Sequence, residues 1–145
     1  MWEYWLAAAT AWGIGFFPLA EIYVAVPVAI AAGLDPVSAI FWSVFGNFTP
    51  IVLIHWGYER LQHLPWAKPW LQRFTSVKFK NQIDRYGTWI VLLITPWTGV
   101  WVMGVSAKVL GMAGRPLLVA GFISLVFYAV ILAYTMEFGL SWFAA

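Results

Sequence analysis

The sequence predicts an all-α integral membrane protein, an inverted repeat of a re-entrant hairpin plus a transmembrane helix, with a cytoplasmic amphipathic linker helix. Composition is the first reason. The chain has 145 residues, 63% hydrophobic and 10% charged, whereas a soluble domain carries about 25% charged residues. Interrupted apolar stretches are the second. Tyr4–Gly33 and Tyr86–Gly114 are long and carry proline and glycine inside, while Pro36–Tyr58 and Pro116–Met136 read as ordinary spanning helices. Isolated charges are the third: Glu21 is the only charge between Glu3 and Asp35, and Lys108 the only one between Arg85 and Arg115. An ion in hydrocarbon costs roughly 2.5 kcal/mol or more, so such residues face a protein interior or an aqueous path.

Each element follows from local chemistry. Pro18 and Pro27 flank Glu21, and Pro96 with Gly99 precedes Lys108. Proline removes a donor and breaks the helix ladder. Broken backbone at membrane depth is tolerated where it is buried in protein or lines a cavity. Either a tilted, kinked helix or a re-entrant hairpin accounts for each long stretch. With re-entrant hairpins Arg115 joins the basic loop, which satisfies the positive-inside rule better. The spanning helices each open on proline, at Asp35-Pro36 and Arg115-Pro116, where the missing N–H costs nothing, and Asp35 suits an N-cap.

Residues 59–85 hold most of the cations and are expected on the cytoplasmic side. Trp66, Trp70, Phe74 and Val77 keep helical spacing there, the pattern of an amphipathic helix on an anionic leaflet with Pro69 in its first turn. One membrane domain is expected: residues 1–58 as first repeat, 59–85 as linker and 86–145 as second repeat. Ala32-Gly33-Leu34-Asp35-Pro36 and Ala113-Gly114-Arg115-Pro116 are the echo that suggests the repeat, and inverted repeats with discontinuous helices are a recurring transporter plan. The N-terminus lacks the basic region of a cleaved signal peptide and reads as part of the mature protein.

Several residues are candidates for chemistry. Burial disfavours the charged form of a carboxyl, and proton exchange at Glu21 follows as an expectation, against a purely structural pairing. Lys108 either snorkels toward the headgroups or turns inward to pair with Glu21 or hold an anionic headgroup. Thr95 and Thr98 flank Pro96 and are placed to bond the carbonyls it frees. Asn47 is a polar group inside a spanning helix, placed to reach a facing hairpin or to join helices. Gly99, Gly104, Gly111 and Gly114 permit close approach. Trp97 and Trp101 share a helix face, which suits lipid packing or stacking on an organic cation. Arg85 and Arg115 are headgroup or interface candidates. His55 and His63 lack further ligands close in sequence, so no metal site is expected. No cofactor, no catalytic constellation and no nucleic-acid partner is expected, and the chain reads as no enzyme.

Pro18-Leu-Ala-Glu21-Ile-Tyr-Val-Ala-Val-Pro27, Gly33-Leu-Asp-Pro36 and Gly46-Asn47-Phe-Thr-Pro50 resemble the first half of the small multidrug export family. Asp84-Arg-Tyr-Gly87, Pro96-Trp-Thr-Gly-Val-Trp101 and Leu110-Gly-Met112 resemble its second half. The family is similar in plan to the DedA-like membrane proteins, and the resemblance implies paired re-entrant hairpins in a carrier or scramblase. Tyr23 stands where the family commonly has arginine, and Trp97 where it usually has glycine. The cation beside Glu21 is then missing unless Lys108 supplies it.

The function expected is export of amphiphilic substrates, coupled to protons through Glu21, by a homodimer in the bacterial inner membrane among membrane lipids. Pro18, Pro27, Asn47, Thr95, Pro96, Thr98, Gly99 and Trp101 would line the pathway with Glu21 and Lys108. Two alternatives stand beside it: a lipid or polyprenyl-phosphate translocase whose Lys108, Arg115 and basic loop hold the headgroup, and a non-transporting membrane scaffold.

Overall fold

A computed structural model describes residues 1–66, 69 and 77–143. Six helices follow in order: α1 Trp2–Phe16, α2 Glu21–Ala31, α3 Pro36–Gln62, α4 Val77–Thr98, α5 Val100–Val109 and α6 Gly114–Phe143. All the regular structure among the described residues is helical, as the composition requires. Within these bounds α3 over Pro36–Gln62 and α6 over Gly114–Gly139 are long and apolar enough to cross a membrane. The others expected in the membrane are interrupted, α1 from α2 by Phe17–Ala20 and α4 from α5 by Gly99.

Three boundaries differ from expectation. The helix expected to end at Tyr58 continues to Gln62, because Glu59, Arg60 and Gln62 are good helix formers. The linker's end is helical too: Val77–Arg85 is continuous with α4. The expected helix start at Pro116 moves to Gly114, so Pro116 is the third residue of α6, still inside the turn whose amides need no helical acceptor. The anticipated interfacial helix, Trp66 to Val77, lies largely outside the described residues.

The chain forms two compact units, Met1–Thr49 with Leu125–Ala145, and Pro50–Ser124. In the first, α1 and α2 pack against each other around Ala7, Ala11, Ala29, Leu34 and Ala39, with Ile30 and Trp42 at the margin. Small residues let the backbones approach closely. Tyr4 meets Ser38 and Trp42, and Gly15 meets Ser43 and Asn47, so α1 and the start of α3 run in the same direction. Their crossing is backbone on backbone: a Cβ on Gly46 would stand 2.2 Å from the Trp12 carbonyl oxygen.

In the second unit, Gly104 lies against Ile54, Gly114 against His55 and Gly121 against Ile51. With Lys108 over Tyr58, this ordering makes α5 parallel to the end of α3 and α6 antiparallel to it. α4 packs on α5 and is tied to α6 by Ser124, whose hydroxyl donates to the Leu92 carbonyl at 2.9 Å. That carbonyl is the one Pro96, four residues on, cannot reach with an N–H.

One local pattern occurs twice. α2 ends with Gly33 N–H to Ile30 O (3.0 Å) and Leu34 N–H to Ala29 O (3.1 Å), with Gly33 at φ 92°. α5 ends with Gly111 N–H to Lys108 O (3.0 Å) and Met112 N–H to Ala107 O (2.9 Å), with Gly111 at φ 90°. Both are the double-bonded helix stop that needs a left-handed residue. The structural counterpart of Gly33 is therefore Gly111, which corrects the match to Gly114 read from the sequence. The same interval carries Pro36 onto Gly114, the two helix starts, and Glu21 onto Gly99.

Candidate functional site

Glu21 is the first residue of α2, and its backbone is left-handed, with φ 42°. It is the sole non-glycine residue with positive φ among those described. A left-handed L-residue costs roughly 1–2 kcal/mol, and neither a short Asn nor a glycine occupies the position to lessen it. At the equivalent break the chain uses Gly99, at φ 84°. The Glu21 side chain is half-buried, between the exposed Pro18 and Leu19 on one side and the fully buried Ile22, Ala25 and Val26 on the other. Pro27 sits inside α2 and leaves the Tyr23 carbonyl without its helical donor.

Asn47 is completely buried and faces α1. Its Nδ2 donates to Ser43 O at 2.9 Å and stands 2.6 Å from where a Cβ on Gly15 would be. Its Oδ1, the Ser43 hydroxyl and the Trp12 Nε1 are buried without protein partners. The α1–α3 crossing thus carries polar atoms where the helices are closest.

In the second unit Lys108 is buried, 6% exposed. It turns inward rather than snorkelling, with Nζ 5.5 Å from the Tyr58 ring centroid. Cation–π attraction of this kind strengthens when water is excluded. Glu59 is close enough to act on its charge. Glu59 Oε1 also lies 3.4 Å from His55 Nδ1, an ionic approach without hydrogen-bond alignment. The partner expected from the sequence, Glu21, belongs to the first unit.

Thr95 is buried and donates to Val91 O, so the carbonyl freed by Pro96 is bonded by Ser124 and not by Thr95 as anticipated. Thr98 and Trp97 are exposed, Trp101 is half-buried and Gly99 is buried. Pro96 lies inside α4. Arg85 stands over the Tyr86 ring at 5.6 Å, and Arg115 is exposed in the first turn of α6. A cleft of about 200 Å³ opens between α4 and α5; Ile90, Val91, Val102, Met103 and Leu110 make it apolar, and Ser106 adds a hydroxyl.

Sequence reasoning missed Tyr58, Glu59, Ser124 and the Trp12–Gly46 contact. Tyr58 and Glu59 carried a signal, since with His55 they share one face of α3 at helical spacing.

Two long apolar helices and two interrupted apolar ones are the make-up of a helical membrane protein. A family model described as "Putative small multi-drug export protein" matches residues 21–131, and the chain belongs to that family. No curated protein and no solved structure matches it.

Proposed function

We propose that the protein exports amphiphilic compounds across the bacterial inner membrane and exchanges a proton at Glu21 in doing so. One observation carries the reading. The chain pays backbone strain to keep a carboxylate at a break between apolar helices, where glycine serves the equivalent position. Strain of this kind concentrates at functional sites, and an intramembrane carboxylate is by default a functional group. The apolar cleft between α4 and α5 supports an amphiphilic cargo, because such pockets bind the apolar part of a ligand.

In this reading α4–α5 is a re-entrant hairpin. Its support is that Lys108 and Gly114 both lie against the last turns of α3, the end from which the basic linker departs. Arg115 then sits on the cytoplasmic side with the linker. α1–α2 is the corresponding hairpin of an inverted repeat, supported by the shared helix-stop pattern. A homodimer supplies the wall that one short chain lacks.

The test is export from proteoliposomes under an imposed pH gradient. Glu21→Gln abolishes gradient-driven flux and leaves the protein folded. Full flux with the parent's pH dependence would reject the role.

A second reading, a lipid translocase, is favoured by Lys108 being held within the membrane region beside an apolar cleft. Its test is bleaching of a fluorescent anionic lipid from outside the vesicle. Bleaching beyond half the signal, lost in Lys108→Ala, supports it, and bleaching that stops at half removes it.

A further inference from the structure

The first unit has an open groove of about 240 Å³ between α1 and α3. Trp5, Ala8, Ala9 and Trp12 of α1 and Trp42 and Phe45 of α3 line it. The four α1 residues recur at helical spacing, so one stripe of the helix presents two indoles with two alanines between them. The alanines leave an open floor between the rings.

Trp42 is held at the centre of the groove. Trp42 Nε1 donates to the Tyr4 hydroxyl at 3.3 Å, and that hydroxyl donates to Ser38 Oγ at 3.2 Å. Ser38 is itself held by its N–H to Asp35 Oδ2 at 3.0 Å. Trp5 meets Trp42 edge-on, at 6.1 Å and 72°, and Trp42 meets Phe45 edge-on, at 6.3 Å and 69°. Trp12 stacks on Phe16 at 5.4 Å and 15°, and Phe45 on Phe41 at 6.3 Å and 15°, which covers one face of each ring and leaves the other for a guest.

The charge of this unit points to the guest's sign. Residues 1–49 and 125–145 contain Glu3, Glu21, Asp35 and Glu137 and not one Lys or Arg; all eight Lys and Arg lie in Pro50–Ser124. Glu3 and Asp35 stand at the ends of α1 and α3 nearest to Trp5 and Trp42. Indole faces attract cations, quaternary ammonium groups above all. No resident Lys or Arg of the unit competes for these rings.

We propose that the cage of Trp5, Trp12, Trp42 and Phe45 binds the quaternary ammonium group of a lipophilic organic cation. The inference rests on the export reading, of which it names the substrate class.

The experiment measures equilibrium binding of tritiated benzyltrimethylammonium to the purified full chain, with competition by its neutral carbon isostere, neopentylbenzene. Trp42→Leu and Trp5→Leu weaken binding about tenfold or more, since cation–π contacts with a desolvated cation are of that order. Trp42→Phe retains most of the affinity and guards against a folding defect. Trp89→Leu, an exposed indole outside the groove, changes nothing. The isostere competes at least about tenfold more weakly. Equal competition by the isostere, or unchanged binding in both Trp→Leu proteins, overturns the proposal. Export and ammonium binding measured side by side on the parent protein separate the two readings. Intact ammonium binding with no export from the parent protein defeats the export reading and leaves the cage standing. Export from the parent with no ammonium binding defeats the cage alone.

Discussion

The two units solve the same structural problem with opposite charge. Each joins two apolar helices through a break, ends the second on a left-handed glycine and leads into a long apolar helix. The first unit does so with four carboxylates and no Lys or Arg; the second holds every Lys and Arg of the chain. At the equivalent break positions the first keeps Glu21 and the second Gly99. The contrast separates what the backbone needs from what the side chain adds. The turn asks for glycine, and the first unit departs from that demand by keeping a glutamate there.

The comparison is broken most directly at those two positions. Glu21→Gly is expected to abolish gradient-driven export while raising stability by about 1 kcal/mol, by relief of left-handed strain. Flux in proteoliposomes and denaturant unfolding in detergent check the two effects together. A destabilised Glu21→Gly protein would mean that the carboxylate holds the fold. Next come the close contacts. Gly46→Ala drives a Cβ into the backbone of Trp12 and costs about 1–3 kcal/mol. Gly104→Ala meets only the end of the Ile54 side chain, at 2.9 Å, and costs less. Thermal unfolding of the two proteins ranks them, and equal losses would dissolve the distinction.

Ser124→Ala leaves the buried Leu92 carbonyl without a donor and costs about 1 kcal/mol or more. In a Pro96→Ala background the helix can supply its own amide, so the cost of Ser124→Ala falls there, and a double-mutant cycle measures the difference. A cycle with zero coupling removes the proposed repair. Lys108→Met and Tyr58→Leu are expected to couple by about 0.5–1 kcal/mol, through the cation–π contact. The companion cycle of Lys108→Met with Glu21→Gln tests the ion pair expected from the sequence, and additivity there discards it.

The smallest effect belongs to Asp35. Bonds from the Ser38 side chain and N–H hold its carboxyl below the usual range. A carboxyl lowered in the folded state gives stability that is present above its unfolded pKa and lost as pH falls through the folded one. Asp35→Asn is expected to flatten that acid limb of a Tm-against-pH curve.

Much of this was legible in the sequence. Lone charges marked Glu21 and Lys108, and proline and glycine placed both breaks, because each signal is local. The register of the repeat was not legible: Gly114 beside Pro116 imitates Gly33 beside Pro36, whereas the left-handed stop is at Gly111. Ser124 was missed because one serine in an apolar helix has no periodicity, and its acceptor lies on another helix. Trp5, Trp12 and Trp42 were missed as a group, since sequence does not show which rings line one groove.

The Trp12–Gly46 contact sets a limit on how α1 can move. No side chain lies between the two backbones there, so the contact has no rotamers that could absorb a displacement. A change in the tilt of α1 then acts as a lever about a fixed fulcrum, with Trp5 on the long arm. The short arm ends at Phe17, where the chain begins its turn toward Glu21.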